Sequence, residues 1–356
     1  MIIGSKNKGD WSEFYVLLYL LGTRNLYAAD EHLNKNPSFC FPVNKIFRKE
    51  DSNKVDFELF DVDKIKIYLN DSLLRTMTSS EFVKEASLLF KDIIAGSGSF
   101  NIPRSEAFLN YIGCNRLTAP SDDVTDIKLE LHDTITGINQ IMGFSIKSYL
   151  GGAPSLLNAS GATNFIYEVE NLTDTDIKEI NAIDTKTKIL DRVSEITKRG
   201  GTIKFHGLAS KVFSENLMMI DSLMVDFLAE ALLYSYVTNE VDCKKIIDHI
   251  EITNPLKFPR KGFYEFKFKK FLCAKALGLN PSKPWTGMDD ANGGYIVAKS
   301  NGEVLAYHLY NRDKFEQYLF DNTKLERAST SRHDYASLYK KDDKTFINLN
   351  LQIRFK

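Results

Sequence analysis

The sequence lacks an excess of either charge: 46 Lys and Arg stand against 47 Asp and Glu, a formal charge of −1. This excludes a globally basic nucleic-acid coat and leaves any polyanion binding to local patches. Paired cysteines are also missing. Cys40, Cys114, Cys243 and Cys273 stand far apart, which argues against a zinc ribbon or a disulfide framework and reads as reduced thiols in a cytoplasmic protein. The opening MIIGSKNKGDW has no apolar stretch of signal-peptide length. The longest apolar run, Leu217 to Val237, carries Asp221, Asp226 and Glu230, so it reads as a buried helix and not as a membrane span, which needs about 20 residues with few charges. No internal repeat or low-complexity tract is visible. What remains is a 356-residue chain, 43% apolar and 26% charged, the balance of a soluble protein with a substantial core, in two or three domains or one large α/β unit.

Local patterns mix helices and strands without strict βαβ alternation. Asp10-Trp11-Ser12-Glu13 fits a capping box opening a helix with apolar residues at Trp11, Phe14, Tyr15 and Leu18. Lys54–Phe60 and Lys64–Leu69 alternate as a strand pair, and a second helix opens at Thr78-Ser79-Ser80-Glu81 and stops at Gly96. Asn301-Gly302 between Tyr295–Lys299 and Glu303–Tyr310 is a strong hairpin signal. Phe263–Phe271, alternating Lys with Phe, reads as a strand. The class is α/β (α+β), with a central mixed sheet flanked by helices. Pro255 and Pro259 mark the plausible seam, between an N-terminal region 1–253 and a strand-rich region 254–356 that forms a second domain or belongs to the same one.

The most informative segment is Asp126–Leu131 followed by Met142–Lys147, which reads as a hairpin. Strand period places Asp126, Lys128 and Glu130 on one face, with Ser145 and Lys147 sharing a face of the returning strand. Carboxylates beside a lysine at a sheet edge suit metal-dependent phosphodiester hydrolysis: the carboxylates hold Mg²⁺ and the lysine positions or activates water. The same spacing also describes an ordinary solvated hairpin face.

Short ordered blocks run nearly end to end: Lys6-Asn7-Lys8-Gly9-Asp10-Trp11-Ser12-Glu13, Leu26-Tyr27-Ala28-Ala29-Asp30, Gly143 to Ser148, Leu156 to Ser160, Thr163-Asn164-Phe165, Trp285-Thr286-Gly287, Gly293-Gly294-Tyr295 and Asn350 to Phe355. In these the chain resembles the HpaII family of type II restriction endonucleases, which are similar to the PD-(D/E)xK nucleases. The resemblance implies Mg²⁺-dependent cleavage of double-stranded DNA at CCGG, and pairing with a DNA methyltransferase that protects the host genome. It places the metal-binding Asp on Asp126 and the x-K element on Ser145-Ile146-Lys147. The usual carboxylate two residues before the lysine is Ser145 here, so another residue must carry the second negative charge. Glu13 on the first helix is the first candidate, with backbone capping as its alternative role, and Glu130 is the second.

DNA contacts fall on three stretches. Gly151 to Asn164 is uncharged and small. Its Asn158, Ser160, Thr163 and Asn164 could approach phosphates or bases. Lys257 to Lys275 holds seven Lys or Arg, with Lys267 and Lys269 as phosphate contacts or as guards of an edge strand. Arg327 to His333 offers Arg332 as a guanine reader, with His333 beside it. A palindromic site suggests a homodimer without requiring it. The rival readings are a repair or structure-specific nuclease on the same scaffold, and an inactive DNA-binding module.

Overall fold

The computed structural model describes all residues except 1–3, 31, 120–123, 135, 309–311 and 329–334, and of His308 the backbone alone. Helices and strands mix throughout, and the class is α+β. The chain divides into two compact units, Met1–Pro154 with Asp289–Phe315, and Ser155–Met288 with Glu316–Lys356. Pro255 and Pro259 lie inside the second. Among the described residues no helix is long and apolar enough to cross a membrane.

The first unit is built on a mixed nine-stranded sheet in the order Asn25–Ala29, Val304–His308, Gly294–Ala298, Asn139–Ser148, Ile127–His132, Lys35–Lys49, Lys54–Phe60, Lys64–Leu69, Ser72–Thr78. Two neighbour pairs are parallel, Gly294–Ala298 with Asn139–Ser148 and Val304–His308 with Asn25–Ala29. The long strand Lys35–Lys49 pairs through its first half with Asn25–Ala29 and through its second with Ile127–His132. Six strands therefore form a closed ring of pairings. Alternation puts Ile127, Leu129 and Leu131 in the core and turns Asp126, Lys128 and Glu130 the other way.

Helix α1, Lys8–Thr23, is apolar nearly all round, with Trp11, Phe14, Val16, Leu17, Leu18, Leu20 and Leu21 buried, the mark of a helix inside a core. Its start differs from the sequence expectation. The capping box is Asn7 with Asp10, not Asp10 with Glu13: Asn7 Oδ1 accepts from the Asp10 N–H at 3.1 Å and Asp10 Oδ2 accepts from the Asn7 N–H at 3.1 Å. Glu13 is thereby relieved of capping. Helix α2, Ser79–Ala95, begins at Thr78 with Glu81 closing its capping box, as expected. It packs so closely on α1 that a Cβ at Gly22 would lie 2.9 Å from the Val83 backbone nitrogen.

The second unit holds a four-stranded antiparallel sheet in the order Thr202–Leu208, Asn164–Glu170, Lys344–Asn350, Leu338–Lys341, and a smaller one of Ser155–Leu157, Ile353–Phe355 and Thr323–Leu325. The apolar run from Leu217 is two helices, Lys211–Ile220 and Met224–Thr238, divided at Asp221. Phe263–Leu277 is a helix and not a strand. Glu251, on the preceding helix, accepts from the N–H groups of Gly262, Tyr264 and Glu265 and so caps it, while Tyr264, Phe268, Phe271 and Leu272 are buried at helical spacing. Packing of that stripe outweighs the short Lys/Phe alternation.

The Asn301-Gly302 hairpin forms as expected between Gly294–Ala298 and Val304–His308. Gly302 has φ +86°, and a Cβ there would lie 2.9 Å from the Phe90 ring; its carbonyl accepts from the buried Tyr15 hydroxyl. Gly302→Ala should destabilise the protein by about 1 kcal/mol or more through the positive φ alone. An unchanged denaturant midpoint would count against this packing.

Candidate active site

The hairpin brings Asp126 to the lysine strand at short range. Its N–H donates to the Phe144 carbonyl at 2.9 Å, and its Oδ2 accepts from the Ile146 N–H at 2.6 Å and the Ser145 hydroxyl at 3.1 Å. Ser145, 5% exposed, is thus a donor that orients Asp126 and not a charge beside it. Lys147 lies on the same face. Burial raises the Asp126 pKa, against the lowering effects of the Lys147 charge and the two hydrogen bonds. Burial lowers the Lys147 pKa, opposed by the charges of Asp126 and Glu13. The Lys147 Nζ also sits 5.0 Å from the centroid of the buried Tyr295 ring on the parallel neighbour strand.

Glu13 completes the group from α1. Its Oε2 accepts from the Ala119 N–H at 3.0 Å. Burial first, then the charge of Asp126, push its pKa up to about 8, while the Ala119 bond and the charge of Arg48 oppose the rise. A hydroxyl pair fixes helix against strand: Ser148 Oγ donates to Ser12 Oγ at 2.7 Å, and Ser12 Oγ donates to the Lys8 carbonyl at 2.6 Å. Ser12 adjoins Glu13 and Ser148 adjoins Lys147, so this bond fixes the part of α1 that carries Glu13 against the strand that carries Lys147. Gly143 has no room for a side chain: a Cβ would lie 2.7 Å from the Asp290 carbonyl. The close approach lets the Gly143 N–H donate to Asn292 Oδ1 at 2.8 Å and Thr125 Oγ1 donate to the Asp290 carbonyl at 2.9 Å.

Asp126 opens on a cleft of about 550 Å³, lined also by Arg48, Lys49, Lys54, Lys128 and Asp290. Among the described residues Lys49 and Lys128 have no carboxylate partner, whereas Lys54 pairs with Asp56 at 2.6 Å and Arg48 with Glu50 at 3.1 Å. Sequence reasoning missed Arg48, Lys49 and Lys54, because Glu50 and Asp51 neutralise the run locally; Lys128 was visible only as a strand-face neighbour of Asp126. Among the described residues no group of three or more His, Cys, Asp or Glu side chains gathers as a metal cage. Glu13 and Asp126 are two hard oxygen donors that burial leaves short of positive charge, a set that fits Mg²⁺, which binds through one or two carboxylates plus water and phosphate.

The remaining candidates lie elsewhere. Glu130 shares the Asp126 face but is four residues further along, roughly 13 Å at strand rise. In the second unit Asn158 is exposed. Thr163 is fully buried, and with Ser160 and Asn164 it satisfies Asn350 Nδ2, which donates to the Ser160 carbonyl, Thr163 Oγ1 and Asn164 Oδ1 at 2.8, 3.1 and 2.7 Å. Lys267, 9% exposed, pairs with Asp221, and Lys269 pairs with Glu265 and bonds Gln317 at 2.6 Å. Both are thus committed within the protein, on a helix and not on an edge strand. Arg332 and His333 lie outside the described residues.

An acid pair and a lysine at the edge of a basic cleft form the kind of site that phosphodiester hydrolases use. The family model described as HpaII restriction endonuclease matches residues 7–355, and the chain belongs to that family. It is 39% identical over 358 residues to the type II restriction enzyme HpaII of Haemophilus parainfluenzae, covering 99% of this chain and 98% of the relative. No solved structure matches it. The chain is accordingly a type II site-specific deoxyribonuclease whose substrate is DNA.

Unfolded, Glu13 titrates near the ordinary 4.5; folded, its pKa is pushed up to about 8. Folding takes up a proton between these values, so metal-free stability falls as pH rises through that window. Glu13→Gln should remove this slope and gain on wild type toward high pH. Denaturant midpoints from about pH 5 to pH 9 measure it, and parallel curves would sink the raised pKa.

Proposed function

We propose that this enzyme cleaves double-stranded DNA at CCGG in a divalent-metal-dependent reaction centred on Asp126, Glu13 and Lys147, as the PD-(D/E)xK nucleases do. The observation that carries the proposal is the meeting of two carboxylates from separate elements beside one half-buried lysine. Ser145 leaves the usual second acidic position uncharged, and Glu13 supplies that charge from α1. A Mg²⁺ ion held by Asp126 and Glu13 would neutralise charge at the phosphoryl oxygen and lower the pKa of water. Lys147, its proton affinity reduced by burial, orients the attacking water and takes up its proton as the new P–O bond forms. Ser145 and the Ile146 N–H hold Asp126 in place while the phosphodiester bond breaks in line, leaving a 5′-phosphate and a 3′-hydroxyl.

The cleft cations would hold the backbone of the duplex. A palindromic target fits a homodimer with two-fold symmetry. A host carrying such an activity needs a matching DNA methyltransferase.

Plasmid digestion with Mg²⁺ should give discrete fragments whose ends map to CCGG; ends at another sequence would refute the specificity. Asp126→Asn, Lys147→Ala and Glu13→Gln should each lower the single-turnover rate by at least about 100-fold, the scale of a lost proton-transfer or charge-stabilising group, while binding of the same duplex in Ca²⁺ persists. A folded variant that cuts at the wild-type rate removes that residue from the mechanism.

Lys49→Ala and Lys128→Ala should weaken binding to all duplexes alike, each flattening the slope of log affinity against log salt by about 0.9 per lost phosphate contact. An unchanged slope would mean that the cleft does not hold the backbone.

A further inference from the structure

Glu13 does not hold its own position. Its carboxylate is fastened to the Ala119 N–H, and the segment leading to Ala119 is tied down by a residue that no part of the reaction uses. Glu50, 2% exposed, follows the strand Lys35–Lys49. Its Oε2 accepts from the N–H groups of Asn115 and Arg116 at 2.9 and 2.8 Å, and its Oε1 accepts from Arg48 Nε at 3.1 Å. Arg48 closes the loop by donating to the Arg116 carbonyl at 2.7 Å. The Arg116 guanidinium reaches Asp51 Oδ1 at 2.8 Å. Ala119 is only three residues beyond this buckle.

A carboxylate that accepts two backbone N–H groups and a guanidinium is a strong clamp, because charge-assisted bonds are roughly twice as strong as neutral ones, and its burial makes any mismatch costly. Arg48 has a second role. It lines the cleft and its charge opposes the rise in Glu13 pKa, so the same clamp fixes a cation beside the acid pair.

We propose that Glu50 is a positioning residue of the active site: through Arg48 and the 115–119 segment it holds the Glu13 carboxylate against Asp126. The proposal rests on the reading of Glu13 as the second acidic residue of the reaction. Glu50 itself is too enclosed to meet DNA, so its loss should act on the acid pair and not on duplex affinity.

The test compares Glu50→Gln with wild type on a duplex carrying one CCGG site. The Mg²⁺ concentration giving half the maximal single-turnover rate should rise about 10-fold, the scale seen when a group behind a metal ligand is lost. Affinity for the duplex in Ca²⁺ should stay within about twofold, and the thermal shift that Ca²⁺ or Mg²⁺ gives the DNA-free protein should shrink, since that shift follows metal affinity. A wild-type Mg²⁺ requirement with an intact thermal shift overturns the proposal, and so does an affinity loss that accounts for the whole rate loss. If Glu50→Gln does not fold, Glu50→Asp keeps the charge but shortens the reach, and the same readings decide. Glu13→Gln run in parallel separates the two ideas. Wild-type cleavage by Glu13→Gln refutes the underlying reading, whereas an inactive Glu13→Gln beside a normal Glu50→Gln refutes only the role of Glu50.

Discussion

The hydrogen bond from the Ile146 N–H to Asp126 Oδ2, at 2.6 Å, is the contact on which the rest of the site depends. It anchors a half-buried carboxylate to the strand that carries Lys147, so acid and amine share one patch of sheet whatever the surrounding loops do. Burial there disfavours the charged form of each. Glu13 on α1 adds a second carboxylate, whose charge favours the protonated Lys147 while Asp126 and Glu13 disfavour each other's charge. Such an arrangement is expensive for a protein at rest and useful for one that must bind a cation and a phosphate in the same place.

The Ser145 position shows how a missing charge is replaced by geometry. A carboxylate at 145 would have faced Asp126 directly, whereas the serine hydroxyl donates to it and fixes its rotamer. On the proposed reading the second negative charge would come from Glu13 on α1, whose start Asn7 and Asp10 satisfy without it. The Ser12–Ser148 hydroxyl pair then fixes that helix against the strand. The Ser145 hydroxyl bonds Asp126 directly, and the Ser12–Ser148 pair adjoins Glu13 and Lys147 in sequence.

Much of the scaffold was legible. Lys54–Phe60 and Lys64–Leu69 appear at the expected bounds, and the Thr78 capping box and the Asn301-Gly302 turn form as their local chemistry requires. These signals are short-range: a turn that needs positive φ, or a side chain that bonds a backbone three residues away. The Lys/Phe stretch at Phe263–Phe271 was misread because alternation over nine residues cannot reveal that Glu251 caps a helix there from the preceding element. Thr163 and Asn164 looked like loop hydrogen-bond formers, yet their partner, Asn350, lies far along the chain.

By itself the sequence determined which strand faces carry charge, where the two α1 and α2 helices of the first unit lie, and that Asp126 and Lys147 belong to one hairpin, since alternation and turn chemistry are local properties. Only the tertiary structure decided that Glu13 rather than Glu130 stands beside Asp126, and that Arg48, Lys49, Lys54 and Lys128 line one cleft. The reason is distance along the chain. Strand period says which way a side chain points, but which distant charges share its space is settled by how α1 and the long strand pack against the hairpin, and a pattern of neighbours in sequence carries no record of that.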